Sequence, residues 1–176
     1  MRSFIAIPIP EGVRRSVSSY IHKVRSQLSG VKWVREENLH ITLRFLGEID
    51  EKLKEEVEAI IQEKSQPFKP FLCRLEGIGY FPSHRRARVI WIGIEEGGQE
   101  LIRIFEALEP ELNRLGFKRE KPFHPHLTIG RVKSPRPLDL PRFERESFTA
   151  NRIVLYKSTL TPEGPIYEPI RSVKLG

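Results

Sequence analysis

Two incompatible periodicities alternate along this chain of 176 residues, and their alternation sets the class of fold. Three stretches repeat apolar residues every three or four positions, the period of a helix with one buried face. In residues 11 to 29 the stripe is Val13, Val17, Ile21, Val24 and Leu28, and Gly30 is placed to stop the helix. Residues 50 to 65 set Leu53, Val57, Ile60 and Ile61 behind Asp50, a residue type that caps helix starts. Residues 98 to 115 carry Leu101, Ile104, Phe105, Leu108, Leu112 and Leu115 ahead of Gly116, and Pro110 is expected to bend or interrupt that helix.

Between the helices lie short runs rich in β-branched and apolar residues: SFIAIPI, LHITLRFLGEI, FLCRLEGIGYF, ARVIWIGI, HPHLTIGRV, RIVLYKSTL and PIYEPIRSVKL. These read as strands. Strands and helices interleave, and TLTPEGPIY supplies a hairpin turn, so the expected class is α+β with mainly antiparallel sheets. The proline-rich KSPRPLDLP is expected to be an exposed loop, as is the basic SHRRAR at 83 to 88. Trp91, in a run apolar on both faces, is expected to be buried.

Nothing in the chain divides it, and its length suits one domain. The single cysteine, Cys73, sits in an apolar run and reads as an inert buried thiol, which excludes a disulfide framework. No run of eighteen apolar residues occurs, so the expected setting is soluble, cytoplasmic and reducing. The formal charge of +7 and pI near 9.7 permit a nucleic-acid partner without naming one. Nineteen of the thirty basic residues are arginine, whose planar fork grips phosphate with paired hydrogen bonds.

One pattern occurs twice. HITL at 40 to 43 and HLTI at 126 to 129 share the order histidine, apolar, threonine, apolar, each on an expected strand. Composition alone yields two such hits at roughly the 1% level, which disfavours chance. Alternation on a strand puts His40 beside Thr42, and His126 beside Thr128, with Ile41, Leu43, Leu127 and Ile129 turned to a core. If the two strands face one another across a cleft, two imidazoles flank one small anionic group and two hydroxyls donate to its oxygens. Such a pair suits in-line attack at phosphorus: a neutral imidazole takes the proton of the attacking group and an imidazolium protonates the departing oxygen. Histidine fits because its ordinary pKa of about 6.5 lets both forms exist near neutrality.

The paired HxTx motifs resemble those of the two-histidine (2H) phosphoesterases. RSFIAIPIP, WVREENLHITLRFLGE, the GIGYFPS to RVIWIGI stretch and FHPHLTIGRV are similar to the RNA 2′,3′-cyclic phosphodiesterases, also called 2′-5′ RNA ligases, over essentially the whole chain. The resemblance implies a single domain over residues 1 to 176, bilobal, of two similar α+β lobes of mainly antiparallel sheet with outer helices, one HxTx strand from each facing a central cleft. It implies hydrolysis of an RNA 2′,3′-cyclic phosphate end to a 2′-phosphomonoester, with reverse 2′-5′ ligation of ends like those of tRNA halves. His40 becomes the proton donor, His126 the acceptor, and Thr42 and Thr128 hold the phosphate. No metal or other cofactor is implied, the partner is RNA rather than membrane, and a monomer is expected.

Arg131, in the HxTxGR context, is the choice for a further phosphate contact. Strict alternation puts it opposite His126, unless Gly130 marks a bulge that re-aims it. Arg44 shares the face of His40 and Thr42 by alternation and is a candidate RNA contact at the cleft rim, whereas Phe45 and Leu46 read as packing residues. Three rival readings stand beside this one. His40, His124 and His126 form a three-histidine zinc site, although no HExxH or CxxC spacing accompanies them; the site holds an RNA end without turnover; or the substrate is a small cyclic nucleotide metabolite.

Overall fold

A computed structural model describes residues 1–119 and 122–176. Three α-helices accompany nine strands among them. The helices are α1 (Glu11–Arg25), α2 (Glu51–Ser65) and α3 (Gly98–Arg114). The stripe of α1 is buried through Val13, Val17, Ile21 and Val24, and the helix stops at Arg25, short of Gly30. At α2 the Asp50 side chain accepts the Leu53 amide at 2.8 Å, satisfying one of the orphan donors of a helix start. In α3, Pro110 does not interrupt the helix, which continues to Arg114 and ends where Gly116 takes φ 102°.

The strands are β1 (Arg2–Pro8), β2 (Val31–Trp33), β3 (His40–Glu48), β4 (Phe71–Phe81), β5 (Ala87–Glu96), β6 (His126–Arg136), β7 (Glu146–Ala150), β8 (Arg152–Thr161) and β9 (Gly164–Lys174). Seven coincide with the apolar runs of the sequence. The short β2 and β7 carry too little alternation to be seen there. KSPRPLDLP is only partly a loop, because β6 runs on to Arg136 and Leu138 is buried at 7% exposure. SHRRAR forms a single exposed 3-10 turn, His84–Arg86, running into β5.

Every strand pair is antiparallel, in two sheets of order β3-β1-β8-β9 and β2-β6-β5-β4-β7. Neither sheet is a continuous half of the chain. The hairpin β8–β9 returns from the carboxyl side to complete the sheet of β1 and β3, and β2 crosses to the edge beyond β6. Ile5, Ile7 and Ile41 of the first sheet and Ile90, Ile92 and Leu127 of the second are fully buried, and helix residues such as Val57, Ile61, Leu101 and Leu112 close over them. The edge strand β3 and the inner strand β6 touch directly, although they belong to different sheets. Each of these two strands begins with one repeat of the motif.

Candidate active site

The two motif strands share a backbone device. Along β3, Thr42 pairs with Ala6 and Arg44 with Ile5, which leaves Leu43 as an extra residue. Along β6, Thr128 pairs with Trp91 and Gly130 with Ile90, which leaves Ile129 extra. Each strand therefore has a β-bulge at the last position of its HxTx, and the bulge reverses the facing of the two residues that follow it. Phe45 and Arg131, each five residues after its histidine, come round to the side of His40 and His126.

One cavity of about 790 Å³ receives these side chains. His40, Thr42, His126, Thr128 and Arg131 all line it, together with Phe45, Phe81, Phe123, His124, Arg88 and Tyr167. Four of the sequence-picked residues thus share a wall with Arg131. Arg44 borders the same cavity, but its side chain is 8% exposed and turned inward, because the bulge at Leu43 cancels the alternation that put it on the face of His40. Its Nε meets Glu109 Oε1 of α3 at 2.5 Å, and its two terminal nitrogens donate to the carbonyls of Phe45 and Lys118. Three of its five N–H groups are thereby engaged within the protein. Phe45 is also corrected: it is 56% exposed at the cavity rather than packed in the core, while Leu46 is buried.

The two histidines are held alike. His40 Nδ1 bonds the Asn38 carbonyl and His126 Nδ1 bonds the His124 carbonyl, each two residues upstream. With Nδ1–H donating to a carbonyl, Nε2 is the nitrogen left for a ligand in both rings. Their surroundings differ. His40 stacks on Phe4 at 4.7 Å between ring centroids, and Phe4 in turn stacks on Tyr156, while Tyr167 meets the imidazole in a T-shaped contact with centroids 5.1 Å apart. His126 meets the edge of Phe81 at 5.0 Å and lies 6.0 Å from Trp91. Trp91 is half-buried, not buried, and it lies flat across Gly79 of β4, where a Cβ would come within 2.2 Å of the indole.

Burial pushes the His40 imidazole down to about 4, although its bond to the Asn38 carbonyl opposes this. His126 is lowered as well, by burial first, with the nearby charges of His124 and Arg131 adding to it and the bond to the His124 carbonyl opposing. Both rings are therefore mainly neutral near pH 7. An anion beside either ring would favour its imidazolium form.

Sequence reasoning missed the rings around the site: Phe81, Phe123 and Tyr167, which line the cavity, and Phe4, buried behind His40. For Phe45 a signal existed: its offset from His40 matches that of Arg131 from His126. Among the described residues no three His, Cys, Asp or Glu side chains are grouped to hold a metal, and His124 packs its ring on Phe81 and Trp91. Cys73 is fully buried, with its thiol pushed up to about 12 by burial, as an inert thiol should be.

The sequence matches the family described as LigT like Phosphoesterase twice, over residues 7–91 and 92–167, and each match contains one HxTx. An RNA 2′,3′-cyclic phosphodiesterase of Methanocaldococcus jannaschii is 43% identical over 97% of this chain and 99% of its own. Its counterpart in Thermotoga maritima is 39% identical over 96% and 92%. Among solved structures, one from Thermus thermophilus has a TM-score of 0.87 at 32% identity, covering 99% of this chain and 98% of that one. E. coli LigT complexed with 3′-AMP also superposes with a TM-score of 0.87, at 26% identity over 99% and 97%.

Proposed function

The chain belongs to the LigT-like 2H phosphoesterases and is, by full-length homology, an RNA 2′,3′-cyclic phosphodiesterase; on that premise we propose that His40 and His126 open the cyclic phosphate as an acid/base pair. One observation carries the reading: both HxTx strands, from different sheets, border one cavity with each histidine's Nδ1 tied to a carbonyl. The cyclic phosphate sits between the two imidazoles. Thr42 and Thr128 donate their hydroxyls to its non-bridging oxygens, and Arg131 adds a charged fork on the same side. His126 accepts the proton of the attacking water through Nε2, and the new P–O bond forms opposite the 3′ oxygen. His40, protonated when the anion binds, returns a proton to that oxygen as the P–O3′ bond breaks. The product is a 2′-phosphomonoester beside a free 3′-hydroxyl. With an RNA 5′-hydroxyl in place of water as the nucleophile, the same ring opening forms the new P–O bond to the 5′ oxygen, frees the 3′-hydroxyl and joins the ends through a 2′-5′ bond.

Phe45 gives the terminal base an exposed ring to lie on, the sequence-tolerant contact that aromatic side chains offer every base. The two lobes of the proposal are built on the two sheets, each of which contains one HxTx strand and mixes strands from both family matches. Among the described residues no helix is long and apolar enough to cross a membrane.

A short RNA ending in a 2′,3′-cyclic phosphate, incubated with the protein after exhaustive EDTA treatment, tests the reading. Accumulation of the 2′-phosphomonoester is the expected result. Binding without turnover would return the site to the end-binding alternative, and activity restored only by added zinc would return it to a metal mechanism.

A further inference from the structure

The surface leading out of the cavity carries a charge pattern that the catalytic reading leaves unused. Strand pairing brings together three segments on the β2 side of the five-stranded sheet: residues 26–35 with β2, residues 79–94 with the end of β4, the 3-10 turn and β5, and residues 122–138 with β6. None of the chain's 23 Asp and Glu residues falls in any of them. A surface that only kept the protein soluble would mix both signs, as the rest of this one does. Lys54 lies between Glu51 and Glu58 at 3.2 and 3.1 Å, and Arg74 between Glu76 and Glu96 at 3.3 and 3.0 Å. By contrast Lys32, Arg85, Arg86, Arg88, Arg131 and Lys133 are exposed and have no ion-pair partner among the described residues.

Their arrangement is continuous. Arg131 stands opposite Lys32 of β2 on one side and Val89 of β5 on the other, so the two cations share the cavity face of the sheet. Lys133, two residues on, shares that face about 7 Å further along the strand, a spacing suited to successive phosphates of an extended strand. The turn bearing Arg85 and Arg86 is fastened beside them by the Leu138 amide, which donates to the His84 carbonyl at 2.8 Å. Arg88 and Arg131 line the cavity itself, so the row of cations begins at the reacting phosphate and leads outward.

We propose that this basic strip seats the RNA strand immediately preceding the cyclic end, and thereby selects polymeric RNA over a cyclic mononucleotide. The inference rests on the RNA-end reading of the cavity. It assigns SHRRAR and the exposed end of β6 to the sugar-phosphate backbone, where arginine and lysine give affinity and salt dependence without reading sequence.

The test compares a cyclic mononucleotide with an oligoribonucleotide bearing the same cyclic end, by turnover and by fluorescence anisotropy over a salt series. The triple variant Arg85→Ala/Arg86→Ala/Lys133→Ala leaves the cavity residues intact. It should raise KM for the oligonucleotide at least tenfold and flatten the log-log salt slope of binding by about 2, at roughly 0.7 per lost phosphate contact, while kcat/KM for the mononucleotide stays unchanged. A control of equal charge, Lys52→Ala/Lys69→Ala/Lys174→Ala, should leave the slope nearly as it was. Equal flattening in the control, or equal responses of oligonucleotide and mononucleotide, overturns the strip. Wild-type protein that binds the oligonucleotide through the strip without hydrolysing it would overturn the catalytic reading and leave the strip standing. Wild-type protein that hydrolyses both substrates with one KM and one salt dependence would do the reverse.

Discussion

Strands β3 and β6 carry the same four-residue pattern and the same bulge, yet the residues after the bulge are exchanged. In β3 the order is Leu43, Arg44, Phe45; in β6 it is Ile129, Gly130, Arg131. The bulge sends the residue at the second place inward and the third toward the cavity. One wall therefore presents a ring and hides its arginine, and the other presents an arginine and hides a glycine. The difference teaches that an arginine's role here depends on which side of a backbone irregularity it falls. Gly130 is required on its wall because a Cβ there would meet Trp33 at 2.9 Å and Val31 at 3.0 Å. At Arg44 the inward space is filled by the ion pair to Glu109, whose second oxygen is buried with no partner, so Arg44 alone neutralises it.

The histidines head the comparison and carry the largest expected effect. His40→Ala and His126→Ala should each lower kcat by on the order of 10² to 10⁴ with little change in RNA affinity. Sulfur in place of the 3′ oxygen makes a leaving group that needs little protonation. His40→Ala should then recover much of its rate and His126→Ala none, as single-turnover kinetics would read. Rescue of His126→Ala alone would exchange their roles.

The two arginines should separate cleanly. Arg44→Met strands a buried carboxylate and should cost about 3 to 5 kcal/mol in urea unfolding, most of it recovered in Arg44→Met/Glu109→Gln. Arg131→Met should leave stability within about 0.5 kcal/mol while depressing turnover, because the side chain is exposed. Similar stability losses in both variants would dissolve the distinction between hidden and presented arginine.

Phe45→Ala sharpens the same contrast from the other wall. Removing a stacking ring should weaken binding by about 1 to 3 kcal/mol, seen as a higher KM, and its exposure predicts an unchanged melting temperature. A stability loss with unchanged KM would restore Phe45 to a packing role.

The last contrast is read in pH. The limb of the kcat profile belonging to protonated His40 should lie above the corresponding limb in kcat/KM, because the bound phosphate raises a group that burial holds near 4 in the free protein. Coincident limbs would deny the uptake of a proton with substrate. For stability the sign follows from the same depression. The unfolded chain binds a proton at about 6.5 that folded His40 refuses until about 4, so stability is full above about pH 6.5 and declines as pH falls toward 4, by up to about 3 kcal/mol. His40→Asn should flatten that part of a urea-midpoint profile.

Much of the site was legible because its signals are local. Alternation on a strand ties His40 to Thr42 and His126 to Thr128 whatever the rest of the chain does, and both pairs line the cavity. Helical stripes and the Asp50 cap are likewise set within a few residues, so α1, α2 and α3 were readable to within a turn. Pro110 misled because a helix held by Leu101, Ile104, Leu108 and Leu112 in the core tolerates one missing amide. The three-residue β2 exists through pairing with β6 more than through its own composition.

The sequence by itself determined the α+β class, the apolar faces of the helices, the paired histidines and threonines, and the excess of arginine. Which arginine is presented to the cavity was decided only in three dimensions. A bulge shifts register by one residue, and its effect depends on the partner strand, which no local pattern encodes. The hairpin return that lays β8 and β9 beside β1, the aromatic wall behind His40, and the fall of its pKa to about 4 also arise from contacts between distant segments. Local propensity chooses the elements, but burial and facing are properties of what each element packs against.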